Sequence, residues 1–332
     1  MKRIDFENHF YDACFYDSLK KRNNPPYYRK DTDIITWTND LKVPQGRVTD
    51  LLLDIGEGRL KYMDELGIDL AVLSCSPGVE QLDAPDSIEV CRKTNNALFE
   101  LTKRYPGRFL GSAILPVKDV AAACAELERC VKDLGFVGWQ AHSNFGKDAA
   151  PDDAAFRPVF KKAAELGVYV YLHPQLSEYS RLEGYGFPLA GSGLGFTLDC
   201  IITTTRMIFS GLFDELPGLT VILGHLGECF PFMLERMDNR IGMYKNPLLK
   251  NKHNPSYYFK NNILVTTSGN MSKAAFYCTR DILGIDRILF ATDHPYENIY
   301  DMVAFVNEIP LTGQEREAVF YKNAAEKLNI QA

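Results

Sequence analysis

The chain alternates between short apolar runs and longer segments whose apolar residues repeat with helical spacing. The short runs are rich in β-branched and aliphatic residues, which is typical of strands. Eight such runs occur, at 3–7, 70–74, 109–114, 136–141, 168–173, 219–224, 263–267 and 287–292. The pattern therefore predicts eight strands spread over the whole chain.

Amphipathic segments separate most of these strands and predict helices at 59–66, 88–104, 120–134, 156–166, 201–212, 272–283 and 314–328. Glycine stands between a predicted helix and the next strand at several points, as Gly67 and Gly167 do. Strands that alternate with helices form a parallel sheet, and eight such units close naturally into a barrel. We predict an α/β fold, a (β/α)₈ TIM barrel that forms a single domain over residues 1–332.

Two connections are much longer than the others, at 10–58 after the first strand and 174–197 after the fifth. In a barrel, the connections that follow strands lie at the C-terminal end, where active sites are built. The second contains Gly191-Ser192-Gly193-Leu194-Gly195, which does not match a phosphate-binding G-x-G-x-x-G. We interpret this segment as a flexible active-site loop.

Composition and charge narrow the class of protein. Of the 332 residues, 46% are hydrophobic, which is enough to form a large core. The formal net charge is −6 and no basic stripe occurs, so we do not expect nucleic acid as a partner. The N-terminus has no apolar stretch of signal-peptide length, and no apolar run is long enough to cross a membrane. The 8 cysteines include no C-x-x-C pair. We therefore expect a cytoplasmic protein with reduced thiols and no membrane partner.

Candidate metal ligands follow several of the predicted strands. Glu7 and His9 end the first strand, His173 the fifth, His225 the sixth and Asp293 the eighth. Alternate residues of a strand share a face, so Glu7 and His9 can point together into the barrel. A single histidine after a strand is more often a packed or hydrogen-bonding group, and Asp293 alone would also suit a helix N-cap. Their joint placement at one mouth favours a divalent cation with open coordination positions.

Six short blocks carry most of these residues. They are Phe6-Glu7-Asn8-His9-Phe10, Tyr171-Leu172-His173-Pro174, Ser210-Gly211-Leu212-Phe213-Asp214-Glu215, Ile222-Leu223-Gly224-His225-Leu226-Gly227-Glu228, Thr266-Thr267-Ser268-Gly269-Asn270 and Ala291-Thr292-Asp293-His294-Pro295-Tyr296-Glu297-Asn298. The blocks resemble the signatures of the amidohydrolase-2 group, and most of all those of its γ-resorcylate, 2,3-dihydroxybenzoate and 5-carboxyvanillate decarboxylases. The resemblance implies a metal-dependent, non-oxidative decarboxylase of an ortho-hydroxybenzoate, which protonates the ring and then releases CO₂.

The resemblance also implies roles for individual residues. Glu7, His9, His173 and Asp293 would bind one divalent ion, Mn²⁺ or Zn²⁺ with Mg²⁺ as a further option. One ion is expected rather than two because Trp139-Gln140-Ala141-His142 stands where a bridging lysine would be expected. The expected catalytic residues are Asp293, as proton carrier to the ring, with His225 and Glu228 as an acid/base pair. Glu228 also has a plain alternative role as a helix cap.

Further residues would contact the substrate, a small aromatic carboxylic acid. By the resemblance, Arg236 lies near the carboxylate, and Tyr296 and His294 flank the ring. Phe196, with Phe187 and Phe15, would form an aromatic wall. Asn144 and Arg59 are further candidates that a second subunit could contact, since the resemblance implies a homodimer or homotetramer.

Other functions fit the same residues. A metal-dependent hydrolase of a lactone, amide or imine would need nearly identical ligands on the same barrel. Decarboxylation of an acidic heterocycle or of aminocarboxymuconate semialdehyde is a closer variant. A catalytically silent barrel used for binding is the alternative from another class. The retained ligands favour an enzyme, and the Glu-x-His opening favours the decarboxylase.

Overall fold

The computed structural model of the chain describes residues 1–330 except 37–41, 45, 76–77, 79–81, 84, 147–148, 177–178, 183 and 244–245. In this part of the chain, eight parallel strands follow one another around a sheet in sequence order. They are β1 (Ile4–Phe10), β5 (Leu70–Cys75), β6 (Phe109–Ala113), β7 (Gly138–His142), β8 (Tyr169–His173), β9 (Val221–Leu223), β10 (Ile263–Thr266) and β11 (Ile288–Leu289). The predicted barrel strands are confirmed, although several are shorter than expected.

The first and last strands come together and nearly close the barrel. Phe6 N donates to Phe290 O at 3.0 Å, and Asp293 N donates to Glu7 O at 3.0 Å. An isolated parallel bridge joins Asn8 to His294. The end of the last strand is thereby fixed beside the first, which brings two groups of candidate ligands together.

Helices surround the described strands. Their bounds are α1 (Ala13–Lys20), α2 (Arg47–Leu53), α3 (Glu57–Leu66), α4 (Asp86–Arg104), α5 (Val120–Lys132), α6 (Arg157–Leu166), α7 (Phe187–Ala190), α8 (Gly195–Phe209), α9 (Leu212–Glu215), α10 (Phe230–Ile241), α11 (Pro255–Asn261), α12 (Lys273–Leu283), α13 (Ile299–Glu308), α14 (Gly313–Glu317) and α15 (Asn323–Lys327). Gly67 and Gly167 end α3 and α6 in the left-handed conformation, as their places before strands predicted. The predicted last helix is interrupted by a π-helical segment, Ala318–Lys322. No helix in the described ranges combines the length and apolar character needed to cross a membrane.

The two long connections are folded structures rather than open loops. The first carries α1, α2 and a small antiparallel sheet of β2 (Tyr27–Arg29), β3 (Ile34–Thr36) and β4 (Lys42–Pro44). The second carries α7 and leads into α8, which begins at Gly195 instead of the predicted residue 201. A Cβ at Gly193 would lie 2.2 Å from Pro188 O, and one at Gly195 would lie 2.1 Å from Ala190 O. These glycines therefore serve close packing between α7 and α8, which sequence alone did not reveal.

Candidate active site

Glu7, His9, His173 and Asp293 form one buried cluster at the C-terminal ends of the strands. Each offers one ligand atom, and these atoms all lie within 4.8 Å of one another. Glu7 and His9 come from β1, His173 is the last residue of β8, and Asp293 lies in the turn after β11. The structure thus brings together four side chains whose positions span 286 residues of the chain, from 7 to 293.

Hydrogen bonds outside the cluster orient the two imidazoles. His9 Nδ1 lies 3.1 Å from Ser74 Oγ, which leaves Nε2 at 3.0 Å from Asp293 Oδ1 and 3.6 Å from Glu7 Oε1. His173 Nδ1 donates to Pro174 O at 2.7 Å, so the hydrogen is on Nδ1 and the unprotonated Nε2 is the nitrogen that can bind a metal. Both rings therefore have one nitrogen held for orientation and the other available for a cation.

The donor set fits a divalent cation. Glu7 Oε1, His9 Nε2 and Asp293 Oδ1 are buried without a well-formed hydrogen bond, and buried polar atoms in that state are costly unless an ion satisfies them. Two carboxylates and two imidazoles match the mixed ligands of Mn²⁺ and Zn²⁺ sites. The cluster could hold one such ion.

The carboxylates already attract positive charge to the cluster. Burial alone would lower the pKa of His9, but its pairing with Asp293 and Glu7 raises that pKa to about 9. Burial opposes ionisation of Glu7, yet the contact with His9 and the charge of His225 bring its pKa to about 2. Burial and the charges of His9 and His142 hold the pKa of His173 well below its ordinary value. His9 is thus protonated at neutral pH in the metal-free protein, whereas His173 is neutral.

This difference predicts that metal binding releases about one proton at pH 7. A ligand imidazole must be neutral, so the cation has to displace the proton of His9, while His173 has none to lose. Since the raised pKa keeps that proton bound up to about pH 9, the apparent affinity should rise with pH below that value, by up to about tenfold per unit. Calorimetric titration with Mn²⁺ in buffers of different ionisation enthalpy measures the proton count. An affinity independent of pH between about 6.5 and 8 would contradict the prediction.

A second pair, His225 and Glu228, lies beside the cluster. His225 Nδ1 is 2.7 Å from Glu228 Oε1, and Glu228 Oε2 accepts a hydrogen bond of 2.6 Å from Thr197 Oγ1. The other ring nitrogen, Nε2, lies 3.9 Å from Asp293 Oδ2. Burial disfavours the charged ring, but Glu228 and Asp293 raise the pKa of His225 well above its ordinary value. The carboxylate of Glu228 thus orients the imidazole and keeps it charged.

An unusual backbone presents this pair. His225, Leu226, Gly227 and Glu228 all have positive φ, at 55°, 59°, 79° and 57°. Consecutive non-glycine residues in the left-handed region are strained, and such strain concentrates at functional sites. Gly269 completes the arrangement, because a Cβ there would lie 2.3 Å from His225 Cδ2. The turn after β9 is therefore built to aim His225 at the cluster.

The cluster opens into a cavity of about 460 Å³. Its lining includes the polar residues His173, His225, Glu228 and Asp293. It also includes apolar residues from the two long connections, namely Val48, Leu176, Phe187 and Phe196. Among the described lining residues none is lysine or arginine. The cavity thus combines charged and apolar lining residues, and it is large enough for a single aromatic ring with substituents.

Residues 4–330 match the amidohydrolase family profile. The chain belongs to the amidohydrolase family. A gamma-resorcylate decarboxylase of Rhizobium sp. (strain MTP-10005) is 38% identical over 284 residues, covering 82% of this chain and 86% of that protein. The structure of 2,6-dihydroxybenzoate decarboxylase complexed with 2,6-dihydroxybenzoate is 33% identical, covers 100% of both chains and has a TM-score of 0.86. A dihydroxybenzoic acid decarboxylase of Polaromonas sp. JS666, with bound manganese and the inhibitor 2-nitroresorcinol, is 31% identical over 100% of this chain and 98% of that one, with a TM-score of 0.85.

Two of the expected substrate contacts line the cavity of this amidohydrolase, and others do not. Tyr296 and Phe196 lie on its wall. Arg236 is exposed on α10 and is absent from the described lining of the cavity. His294 also faces elsewhere, with its ring 4.8 Å from that of Tyr62. The turn after Asp293 thus directs the His294 ring toward α3, and its contact with a substrate ring stays a prediction.

The remaining candidates lie in different parts of the chain. Phe15 is buried and stacks on Tyr11 with ring centroids 4.3 Å apart, while Phe187 does line the cavity. Asn144 donates to Leu176 O at 3.1 Å. Arg59 is fully buried in the single chain and bonds to groups of that chain, and the part of a second subunit near it stays a prediction.

Several cavity residues escaped the sequence analysis. They are Gln175, Ser192, Thr197, Cys229, Asn270 and Glu297. Gln175, Cys229 and Glu297 lie within a few residues of a predicted site residue, and Asn270 lies in one of the six blocks, but polar side chains of this kind are common on any loop. Thr197 had no signal of its own, because its contact with Glu228 joins positions 31 apart. Only the fold makes that pairing visible.

Proposed function

We propose that this amidohydrolase is a metal-dependent decarboxylase that removes CO₂ from an ortho-hydroxybenzoate of the dihydroxybenzoate type. The observation that carries the proposal is that the Glu7/His9/His173/Asp293 cluster and the His225–Glu228 pair meet at one cavity, which His173, Asp293, His225 and Glu228 line together with apolar side chains. Relatives and solved structures that bear decarboxylase names, at 31–38% identity over most of the chain, support the same activity.

The difficulty of the reaction defines what the residues must do. Direct loss of CO₂ would leave a carbanion in the plane of the ring, where the π system cannot delocalise it. Protonation of the carboxylated ring carbon avoids this, because the C–C electron pair then returns to the ring as CO₂ leaves. When bound by Glu7, His9, His173 and Asp293, a divalent ion supplies Lewis-acid stabilisation of negative charge on phenolic and carboxylate oxygens.

Asp293 is the proposed proton carrier. Its Oδ1 faces the cluster, and its Oδ2 faces His225 Nε2 at 3.9 Å. The carboxylate takes the proton lost by the ortho hydroxyl and donates it to the ring carbon, and such positioned transfer contributes about 10²- to 10⁴-fold in rate. The oxygen of the product that lost its proton takes one from His225, which Glu228 keeps charged. Solvent then protonates the imidazole again, so the reaction consumes one proton overall. Phe196 and Tyr296 are proposed to hold the ring.

Carbon dioxide release tests the proposal. The assay measures CO₂ and, by chromatography, the phenol formed from 2,6-, 2,3- and 2,4-dihydroxybenzoate, salicylate and 5-carboxyvanillate, with protein of known manganese content. Ring decarboxylation of at least one of these is expected. Metal-replete protein that leaves all of them intact but opens lactones or amides would overturn the proposal and favour a hydrolase.

Phe196 offers a prediction about binding. Its ring lines the cavity and packs edge-on against Phe187, with the two ring centroids 5.7 Å apart. Phe196→Ala should raise KM by about 2- to 10-fold with a smaller change in kcat, because an aromatic contact of about 0.5–1.5 kcal/mol is lost away from the reacting atoms. Phe15→Leu, a buried position outside the cavity lining, serves as the control. A fall in kcat with unchanged KM would count against this role.

We also propose that the protein assembles as a homodimer or homotetramer. Large apolar side chains are exposed on and after α10, with Phe232 at 86% and Leu248 at 76%. Exposed apolar groups of this kind often mark association surfaces, and Arg236 lies on the same helix. Light scattering coupled to size exclusion measures the mass, and a monomer at micromolar concentration would contradict this proposal.

A further inference from the structure

The first barrel strand contains a β-bulge between Asp5 and Asn8, a stretch that includes the candidate ligand Glu7. β1 pairs with β5 through Asp5↔Ala71 and then through Asn8↔Leu73. The step is three residues on β1 and two on β5, so β1 carries one extra residue. A bulge of this kind changes the direction of the side chains that follow it.

The bulge places two consecutive side chains in the barrel interior. The ring of Phe6 is 5.0 Å from that of Tyr169, within the apolar cluster that fills the barrel. Glu7 also points inward, where Oε2 accepts a hydrogen bond of 3.2 Å from Thr266. Regular alternation would direct one of the two outward. The bulge therefore aims Glu7 at the metal cluster without displacing Phe6 from the core.

The carboxylate of Asp5 holds this bulge together. Oδ1 accepts from Glu7 N at 3.3 Å and from Thr292 N at 3.0 Å. Oδ2 accepts from Asn8 Nδ2 at 2.8 Å and from Thr292 Oγ1 at 2.6 Å. Asp5 is fully buried and does not line the cavity. The Asp5 side chain thus binds Thr292, which precedes Asp293, and Asn8, which follows Glu7.

Asp5 also bridges a break in the backbone pairing between the first and last strands. Backbone bonds join Phe6 N to Phe290 O and Asp293 N to Glu7 O. Between these two points, the N–H of Thr292 is satisfied by Asp5 Oδ1. The distance between the strand that carries Glu7 and the turn that carries Asp293 is therefore set partly by one side chain.

Arg59 supports the same network from the helix layer. Its buried guanidinium donates to Asn8 Oδ1 and to two backbone carbonyls, Leu51 O and Asp54 O, each at 3.0 Å. Asn8 in turn donates to Asp5. The network thus links the first long connection, which supplies part of the cavity lining, to the bulge. Each polar group in the network has a partner that fixes its direction.

We propose that Asp5 is a positioning residue that sets the spacing of Glu7 and His9 relative to Asp293 through the bulge and its bonds to Thr292. The inference rests on the proposed metal site. Groups that orient ligands in this way typically change metal affinity by about 10- to 100-fold when they are lost. The network therefore prepares the ligands for the ion before it binds.

Thr292 gives the sharpest test, because Thr292→Val removes the hydroxyl that donates to Asp5 and keeps the shape. We expect the Kd for Mn²⁺ to rise about 10- to 100-fold, the electron paramagnetic resonance spectrum of bound Mn²⁺ to change, and Thr292→Ser to restore both. Thr94→Val is the matched control, since Thr94 Oγ1 donates to Asp12 Oδ1 at 2.6 Å in an equally buried pair outside the metal cluster. The control should leave Kd and spectrum unchanged even if it lowers the Tm.

If Thr292→Val does not fold, Asp5→Asn serves as the test instead. This substitution keeps the shape of the side chain and buries no charge. It should also weaken Mn²⁺ binding, because the amide cannot accept all of the hydrogen bonds that the carboxylate accepts. Folded Thr292→Val and Asp5→Asn proteins with the wild-type Kd and spectrum would overturn the inference. Wild-type protein that binds no Mn²⁺ would instead overturn the metal site on which it rests.

Discussion

Asp293→Asn is expected to lower kcat for decarboxylation by at least about 10³-fold, while the fold is kept. The amide cannot carry a proton to the ring carbon, and proton transfer alone accounts for about 10²- to 10⁴-fold. The substitution also removes one negative charge from the cluster, where Asp293 Oδ1 lies 3.0 Å from His9 Nε2. Single-turnover CO₂ release measures the effect, with the manganese content of each sample determined alongside.

Two controls separate the loss of the proton carrier from a loss of bound metal. Asp214→Asn changes a carboxylate that accepts from Tyr258 at 2.6 Å and lies outside the described cavity lining, so it should keep kcat near the wild-type value. Saturation with Mn²⁺ tests whether lost metal explains the defect. An Asp293→Asn protein that regains more than about a tenth of wild-type kcat when fully metallated would show that Asp293 is a ligand and not the proton carrier.

Removal of the metal is expected to abolish decarboxylation and lower stability. Chelation leaves Glu7, Asp293 and the two histidines without a shared cation in a buried site. Because a ligand bound only by the folded state stabilises it by about 2.7 kcal/mol at a hundredfold excess over Kd, added Mn²⁺ should raise the Tm in a concentration-dependent way. Activity should return with the same dependence on Mn²⁺.

A variant of one candidate ligand tests whether the effect of Mn²⁺ on the Tm arises at this cluster. His173→Gln keeps a polar side chain in place of the imidazole but removes its metal-binding nitrogen, so its Tm should respond weakly to Mn²⁺. Chelated wild-type protein that still releases CO₂, at a metal content below about a hundredth per subunit, would refute a metal-dependent reaction. A Tm that rises equally in wild type and in His173→Gln would place the bound ion elsewhere.

The candidate ligands could be predicted because each lies in the C-terminal part of a strand or shortly after it. Parallel barrel strands end at one mouth, so Glu7, His9, His173 and Asp293 converge whatever the details of packing. The charge and chemistry of those residue types then favour a divalent cation. The order of the strands and the position of the cluster follow from local patterns, which is why they were accessible from sequence.

Other features depend on geometry that spacing does not encode. Arg236 has the right chemistry for a carboxylate, yet its place on α10 leaves it exposed in the single chain. His294 adjoins Asp293 but faces Tyr62 because the turn directs neighbouring side chains apart. The bulge in β1 is equally hidden, since Phe6 and Glu7 both suit a strand with regular alternation. Residues adjacent in sequence can thus belong to different surfaces.

The absence of lysine and arginine from the described cavity lining has a thermodynamic consequence. An anionic ligand in this cavity finds carboxylates at Glu228, Asp293 and Glu297 in the described lining, and there the bound cation and charged His225 supply the electrostatic attraction. Occupancy by the anion and by the cation is then linked, and linkage is reciprocal. Each tightens the other by the same factor, so the cell's supply of the metal would control how strongly the protein retains its acid.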